Sequence, residues 1–179
     1  MAGMIDAALL HRCAPQVAVE TLERIIAVES AGDTLAINVN GYGAVHVASI
    51  AEAVETAQSL ISEGYSVDLG LMQINSRHLI DLNLTVKAIF EPCTNLKAGA
   101  KILQDAYRQA LLSFGPGQRA LQAALSIYNT GDPERGLTNG YVAQFYASHP
   151  FIARRAPARA NPDTASSAVD QEKESPHGP

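Results

Sequence analysis

Hydrophobic positions between residues 16 and 30 recur every three or four residues, which predicts a helix with one apolar face. Glu29 comes four residues after Ile25 and seven after Leu22, so it lies on that same face. A carboxyl group in apolar surroundings keeps its proton to higher pH than one in water. Glu29 is therefore a candidate general acid, and the alternative is a helix-end glutamate whose carboxyl group reaches water. The apolar residues of this face are Val19, Leu22, Ile25 and Ile26.

Capping residues and apolar spacing predict further helices. Ser49 and Glu52 form a capping box, which predicts a helix that continues to about Ser62. The longest helix is expected to begin after Thr94 or Asn95 and to end before Gly115. The remaining predicted helices cover about 76–81, 86–90, 117–129 and 139–148.

Apolar residues alternate with polar ones on both sides of the turn-prone pair Asn40-Gly41. Leu35, Ile37 and Val39 precede this pair, and Val45 and Val47 follow it. Alternation of this kind around a turn predicts a β-hairpin. The pattern as a whole predicts an α+β domain that is mainly helical and has one small hairpin.

The end of the chain differs from the rest in composition. Residues 153–179 contain four prolines, and Val169 is their only apolar residue larger than alanine. Such a segment buries too little surface to offset the entropy lost on ordering. We expect one domain over residues 1–152 and a disordered tail over 153–179, with a docking arm for a partner as the alternative for the tail.

Charge and motif content exclude several classes of function. The net charge is -5 and no basic stripe is present, so nucleic acid is not expected as the main partner. No apolar stretch is long enough to span a membrane, and residues 1–12 lack the features of a secretion signal. The sequence has no CxxC motif and no histidine pair with i, i+4 spacing, so neither a metal nor a cofactor is expected.

Residues 70–75 form an amide-rich run, Gly-Leu-Met-Gln-Ile-Asn. Gln73 and Asn75 offer donors and acceptors that suit sugar hydroxyl and acetamido groups. Gly70 suggests a close approach of backbone or ligand that a Cβ atom would block. The alternative is a buried turn whose apolar side chains fill the core. Asp68, just before this run, is either a second carboxylate of the site or a turn cap.

Six short motifs together resemble those of the lytic transglycosylases of the lysozyme-like superfamily. The resemblance covers roughly residues 12–148 and is strongest to the VirB1-like group of type IV secretion systems. It departs from the wider family pattern at Gly32 and Thr34, where many members carry an aromatic residue and a proline. The motifs are Val28-Glu29-Ser30, Leu35-Ala36-Ile37-Asn38, Asp68-Leu69-Gly70-Leu71-Met72-Gln73-Ile74-Asn75, Pro92-Cys93, Asn95-Leu96-Lys97 and Tyr128-Asn129.

The resemblance implies a lysozyme-like fold, a catalytic role for Glu29 and a hydrogen bond between Tyr128 and its carboxyl group. A core tyrosine bonded to a backbone carbonyl is the alternative for Tyr128. The resemblance also implies an oxidising compartment, which favours a Cys13–Cys93 disulfide over two buried thiols. The substrate-binding residues that it implies are Ser30, Gly70, Leu71, Met72, Gln73, Asn75, Tyr128 and Asn129.

The function implied by the resemblance is cleavage of the β-1,4 bond between N-acetylmuramic acid and N-acetylglucosamine in peptidoglycan. The expected product is a 1,6-anhydro sugar, and the expected role is to open the cell wall locally for a type IV secretion system. The expected location is the periplasm, and the expected partners are glycan strands and secretion-system components. The alternatives are a hydrolytic muramidase, a non-catalytic murein-binding scaffold, and a helical adaptor without a polar cleft.

Overall fold

A computed structural model describes residues 5–148 of the chain. Nine helices and four short strands make up this described part. The helices are α1 Ala7–Cys13, α2 Val19–Glu29, α3 Ile50–Ser62, α4 His78–Asp81, α5 Val86–Ile89, α6 Pro92–Phe114, α7 Gln118–Thr130, α8 Arg135–Thr138 and α9 Tyr141–Ala147. The strands are β1 Ile37–Val39, β2 Gly43–Val45, β3 Val67–Leu69 and β4 Ile74–Asn75.

The strands form one antiparallel sheet in the order β2-β1-β3-β4. Asn38 pairs with Asp68 across β1 and β3, and Asp68 pairs with Asn75 across β3 and β4. These three polar residues therefore form a row on one face of the sheet, since opposed residues point the same way. The opposite face belongs to the core and carries the buried side chains of Ile37, Val39, Val67, Leu69 and Ile74.

The sheet, α2, α6 and α9 contribute to one hydrophobic core. The long helix α6 packs against both α1 and α7. A second, smaller cluster lies between α6 and α7 and is built largely of alanine. Small side chains let these two helices approach closely, because the interhelical distance depends on the side chains at the contact.

The expected fold class, mainly helical α+β, is confirmed, and so is the hairpin, which corresponds to β1 and β2. The cap predicted at Ser49 is confirmed as well, because its hydroxyl accepts the Glu52 N–H at 3.2 Å. The Glu52 carboxylate accepts the N–H of Ala48, one residue before the cap, at 2.7 Å instead of that of Ser49. The helix predicted to start after Thr94 or Asn95 starts earlier, at Pro92, where proline is favoured because a first-turn residue needs no N–H partner.

Several elements were missed by the sequence patterns. The two short helices α1 and α8 were not predicted, nor were strands β3 and β4, which flank the amide-rich turn. The predicted tail over 153–179 and the last residues of the predicted domain lie outside the described residues.

Cys13 and Cys93 are joined by a disulfide, with their Cα atoms 5.2 Å apart. Cys13 is the last residue of α1 and Cys93 is the second residue of α6. The bond therefore fastens a seven-residue helix to the longest one. A helix this short is not stable alone and depends on such tertiary attachment.

We predict that the double variant Cys13→Ala/Cys93→Ala folds with reduced stability. The link closes a separation of 80 residues, and the chain-entropy model assigns roughly 4 kcal/mol to a loop of that size. Urea melts of the variant and wild type, the latter with and without reductant, measure the difference. Reductant should destabilise wild type and leave the variant unchanged. Two reactive thiols in oxidised wild-type protein would contradict the bond.

Candidate functional site

Glu29 is the last residue of α2 and opens onto a cleft of about 660 Å³. Leu22, Ile25 and Ile26, on the same face of α2, are fully buried and fix the helix against the core. The cleft lies between the polar face of the sheet on one side and α6 and α7 on the other. Its lining includes Glu29, Asn40, Ser66, Asp68, Gln73, Asn75, Arg77, His78, Ile102, Gln109, Tyr128, Asn129 and Thr130.

The carboxyl group of Glu29 has a raised pKa and therefore releases its proton near neutral pH. Burial raises its pKa from 4.5 to about 7, the hydrogen bond from Tyr141 opposes this rise, and the charge of Asp68 adds to it. The side chain nevertheless keeps part of its surface exposed. Glu29 thus has the protonation equilibrium of a general acid and access to the cleft.

The hydroxyl of Tyr141 donates to Glu29 Oε1 at 2.6 Å. Tyr141 is the first residue of α9, and its own N–H is accepted by the Asn139 side chain at 2.9 Å. Burial and the nearby Glu29 charge raise the pKa of Tyr141 well above its usual value, so it stays a neutral donor. The sequence pattern does not indicate this residue, because no local spacing links a helix start to a carboxylate 112 residues earlier.

Arg24 holds α9 in place from the other end. Its guanidinium donates to the carbonyl oxygens of Ser148 at 2.5 Å and Tyr146 at 3.2 Å, which lie at the C-terminal end of α9. Free carbonyls and a partial negative charge make a helix C-terminus a favourable site for arginine. Since Arg24 and Glu29 lie on the same helix, α2 both carries the carboxyl group and anchors the helix that holds Tyr141.

The turn that follows β3 is held by a buried asparagine of α6. Asn95, 1% exposed, accepts the Met72 N–H at 2.8 Å and donates to the carbonyls of Leu69 and Ile89, each at 2.9 Å. A Cβ atom on Gly70 would lie 2.3 Å from the Asn95 amide nitrogen, and Gly70 has a φ of +73°. Glycine is therefore required here to admit this side chain.

The structure corrects the expected roles of Leu71 and Met72. Leu71 and Met72 are fully buried and belong to the core, so their side chains do not reach a ligand in the cleft. The close approach expected at Gly70 is confirmed, and its neighbours are the Asn95 side chain and the Ile89 carbonyl oxygen. Burial of an apolar side chain lowers the free energy of the folded protein, so the side chains of Leu71 and Met72 pack into the core beside the turn.

Ser30 makes structural hydrogen bonds, and its substrate contact stays a prediction. Its hydroxyl donates to the Leu71 carbonyl at 2.8 Å and accepts the Gly32 N–H at 3.2 Å. These bonds tie the end of α2 to the turn over 70–73, so Ser30 sets the position of Glu29 relative to that turn.

Gln73 and Asn75 line the cleft, as expected for ligand-binding residues. The Gln73 amide nitrogen donates to the Gly70 carbonyl at 2.9 Å and the Ala36 carbonyl at 3.2 Å, which leaves its amide oxygen for a ligand. The Asn75 amide nitrogen donates to Asp68 at 2.7 Å and to Ser66 at 2.8 Å. Both side chains are held in fixed orientations before any ligand binds.

Tyr128 also lines the cleft, but its hydroxyl donates to the Met72 carbonyl at 2.7 Å and not to Glu29. The expectation of a Tyr128–Glu29 hydrogen bond was wrong, and the alternative of a backbone carbonyl partner is what the structure contains. Asn129, next along α7, is exposed in the cleft, and its side-chain oxygen accepts from Asn139 at 3.0 Å.

Asp68 brings a second carboxyl group into the same cleft. Burial raises its pKa, whereas the amides of Asn75, Asn38 and Asn40 and the charge of His78 act in the opposite direction. Glu29 has one hydroxyl partner and Asp68 is surrounded by amides, so the two carboxyl groups have unlike surroundings.

Two further properties concern the part of the chain that the structure describes. Residues 5–148 contain no group of three or more histidine, cysteine, aspartate or glutamate side chains placed to hold a metal ion. Over the same residues, no helix combines the length and the apolar character needed to cross a bilayer.

Comparison with known proteins identifies relatives of this chain. The family profile described as "Transglycosylase SLT domain" matches residues 8–146. The type IV secretion system protein VirB1 of Brucella suis biovar 1 is 43% identical over 126 residues, which cover 69% of this chain and 53% of that protein. Protein VirB1 of Agrobacterium fabrum is 40% identical over 133 residues, covering 74% of this chain and 54% of its own length.

The chain thus spans about half the length of the curated relatives that it matches. No solved structure resembles it at a significant level. Because the family profile covers most of the chain, its fold is that of a lysozyme-like SLT domain.

We predict that Tyr141→Phe raises the pKa of Glu29 above its wild-type value of about 7. The lost hydrogen bond favours the ionised carboxylate, so its removal favours the protonated form. Tyr128→Phe is the matched control, since that hydroxyl bonds to Met72, and its effect on the Glu29 pKa should be smaller. Carboxyl-carbon NMR titration measures both values. Equal shifts in the two variants would contradict the assignment of Tyr141.

We also predict that ionisation of Glu29 destabilises the folded protein. A pKa raised from 4.5 to about 7 means that its contribution to stability is fully present below pH 4.5 and is lost as pH rises through about 7. The loss amounts to about 3 kcal/mol. Glu29→Gln cannot ionise, so the stability of this variant relative to wild type should increase between pH 4.5 and 8.

Urea melts across that pH range measure this difference. Glu55→Gln, a change at an exposed residue of α3, serves as the control and should follow wild type at every pH. If the free energy of unfolding of Glu29→Gln changes with pH in parallel with that of wild type from pH 4.5 to 8, Glu29 has an ordinary pKa.

Proposed function

Since this chain belongs to the transglycosylase SLT domain family, we propose that it is a lytic transglycosylase acting on peptidoglycan. The bond that we propose for cleavage is the β-1,4 linkage between N-acetylmuramic acid and N-acetylglucosamine. One observation carries this proposal, namely that Glu29 opens into a cleft with its pKa raised to about 7 and a hydroxyl donor on its carboxyl group.

In the first step, protonated Glu29 donates its proton to the glycosidic oxygen. The bond between that oxygen and C1 of the muramic acid breaks, and the oxygen leaves as a hydroxyl group of N-acetylglucosamine. Positive charge develops at C1, and the carbonyl oxygen of the substrate's own 2-acetamido group stabilises it. The ionised Glu29 that results is stabilised by the hydroxyl of Tyr141, which lies 2.6 Å away.

In the second step, ionised Glu29 takes the proton of the C6 hydroxyl of the muramic acid. The C6 oxygen then bonds to C1 and closes a 1,6-anhydro ring. Glu29 returns to its protonated state, and no water is consumed. A carboxyl group with a pKa of about 7 suits both steps, because Glu29 acts as the acid in the first and as the base in the second, and a pKa near the working pH serves both roles.

The binding residues in this proposal are the cleft residues Gln73, Asn75, Tyr128 and Asn129. Their side chains lie in the same cleft as Glu29, and the three amides among them can meet sugar hydroxyl and acetamido groups. The fixed orientations of Gln73 and Asn75 lower the entropy cost of binding. The core residues Leu71 and Met72 support the cleft from behind.

A hydrolytic muramidase is a second candidate, and the observation that favours it is Asp68. A two-carboxylate glycosidase needs a second carboxyl group near the acid, either to attack C1 or to activate water. Asp68 lies in the cleft, and its charge is close enough to raise the pKa of Glu29. Under the first proposal, the negative charge of Asp68 instead stabilises the developing cation at C1.

We further propose that the enzyme opens peptidoglycan locally in the periplasm for a type IV secretion system. The names of the relatives from Brucella suis biovar 1 and Agrobacterium fabrum support this setting. The Cys13–Cys93 disulfide fits an oxidising compartment. A non-catalytic murein-binding scaffold is disfavoured, since binding alone does not require a carboxyl group with a raised pKa.

We expect Glu29→Gln to abolish peptidoglycan lysis while the fold is retained. The amide keeps the shape of the side chain but has no proton to donate, and general acid catalysis is worth about 10²- to 10⁴-fold in rate. Turbidity of purified cell-wall sacculi measures lysis, with Glu55→Gln as the control variant that should remain active. Mass spectrometry of the wild-type products separates the candidates, because anhydro products are lighter by one water than hydrolytic ones.

Two outcomes of this experiment would count against the proposal. Lysis by folded Glu29→Gln protein at the wild-type rate would remove Glu29 as the acid. Products with only reducing-end muramic acid would favour the muramidase and exclude ring closure.

A further inference from the structure

Two exposed tyrosines stand together beside the cleft. Tyr42 is 78% exposed and Tyr65 is 36% exposed, and their ring centroids lie 5.3 Å apart in an edge-to-face arrangement. Aromatic side chains gain free energy from leaving water, so a solvent-exposed pair on a surface marks a contact site for another molecule.

The backbone holds these two tyrosines in place from two different turns. Tyr42 lies in the turn between β1 and β2 and donates its N–H to the Val39 carbonyl at 2.9 Å. Tyr65 follows the end of α3 and donates its N–H to the Leu60 carbonyl at 3.0 Å. A bond from the Asn40 N–H to the Ser66 carbonyl, 3.0 Å long, joins the two turns.

The same two turns are continuous with the cleft. Asn40 and Ser66, which line the cleft, are linked by a side-chain hydrogen bond of 3.0 Å. Ser66 accepts a second bond from Asn75 at 2.8 Å, and Asn75 in turn donates to Asp68 at 2.7 Å. A row of polar groups therefore leads from Asp68, whose charge acts on Glu29, to the residues next to Tyr42 and Tyr65.

We propose that Tyr42 and Tyr65 form a stacking platform for a pyranose ring of a β-1,4-linked N-acetylhexosamine strand, beside the cleft residues Asn40 and Ser66. These two tyrosine side chains together are the platform. The proposal rests on the proposed function, because it takes the glycan strand as the ligand of the cleft. It adds a binding site for a sugar beyond the bond that is cleaved.

The chemistry of a pyranose ring fits this surface. One face of such a ring presents C–H groups that pack on an aromatic ring, and its edge presents hydroxyl and acetamido groups. The platform supplies the aromatic surface, and Asn40 and Ser66 supply polar groups beside it. Tyr65 precedes Asp68 by three residues, which is about 10 Å of extended chain, so a sugar on the platform contributes binding and takes no part in the reaction.

A protein partner suits the platform less well. A stable protein interface needs about 800 Å² from each partner, far more than two tyrosine side chains provide. A glycan strand already bound in the cleft needs only one further contact, so a small platform adds usefully to its affinity.

Binding of oligosaccharides of two lengths tests the platform. Full-chain protein carrying Glu29→Gln, which binds without cleaving under the proposed function, is titrated with chitotriose and chitohexaose in a calorimeter. Adding Tyr42→Ala or Tyr65→Ala should weaken chitohexaose binding about tenfold, the loss of one well-packed aromatic contact. Chitotriose binding should weaken less than chitohexaose binding, because a short strand can occupy the cleft without placing a sugar on the platform.

Two control variants identify the source of the effect. Tyr42→Phe keeps the ring and should keep the affinity for chitohexaose, whereas a loss would assign the contact to the hydroxyl group and overturn stacking. Leu112→Ala changes another exposed apolar residue, 90% exposed on α6, and should have no effect. Thermal melts check that every variant is folded.

Other results would reject the platform. Chitohexaose affinity that is unchanged in both alanine variants would leave the pair as a contact for a protein partner, and equal weakening for both oligosaccharides would indicate a general disturbance of the cleft. An absence of chitohexaose binding to the Glu29→Gln protein would also reject it. Failure of the proposed function is read separately, from wild-type protein that does not lyse sacculi. Chitohexaose binding that still depends on the two tyrosines would then keep the platform and reject only the catalytic role.

Discussion

Tyr141 and Glu29 form the hydrogen bond on which the candidate site depends, and it joins residues that are 112 positions apart in the chain. A carboxyl group buried at a helix end is costly in its charged form unless a donor meets it. The donor is available because α9 is fixed at both ends, by the Asn139 side chain at its start and by Arg24 at its end. The tertiary fold therefore sets the acidity of Glu29.

The opposite wall of the cleft depends on a second polar contact, made by Asn95. This side chain satisfies one N–H and two carbonyl groups of buried backbone, which would otherwise cost free energy. It keeps the turn over 70–73 at a fixed distance from α6. The disulfide acts on the same helix, since Cys93 lies two residues before Asn95 and attaches α1 to its first turn. Rigid elements thus hold the cleft residues in position before a ligand binds, which is the arrangement that precise chemistry requires.

The residue pattern predicted the parts of the structure that follow from local periodicity. The apolar face of α2 predicted where Glu29 would lie, and the alternation around Asn40-Gly41 predicted the first hairpin. Strands β3 and β4 were missed because no turn-prone pair like Asn40-Gly41 separates them, and the adjacent apolar residues Leu71 and Met72 interrupt the alternation between them. The fold class followed from these periodicities and from the resemblance together.

Side-chain partners could not be predicted in the same way. The hydroxyl groups of Tyr128 and Tyr141 both lie close enough to feel the charge of Glu29. Which hydroxyl bonds to the Glu29 carboxyl group depends on how α7 and α9 pack in the core. Leu71 and Met72 belong to a motif that the resemblance links to binding, yet packing places their side chains in the core. A short motif therefore located the site without distinguishing the residues that line it from those that support it.

We propose that a single carboxyl group with a raised pKa donates the proton that breaks the glycosidic bond. The pH dependence of the initial rate of sacculus cleavage by wild-type protein tests it most directly. We expect the rate to fall as pH rises, with a midpoint near 7, where Glu29 loses its proton. A rate that falls with a midpoint near 4.5, or that stays constant between pH 6 and 8, would contradict the account.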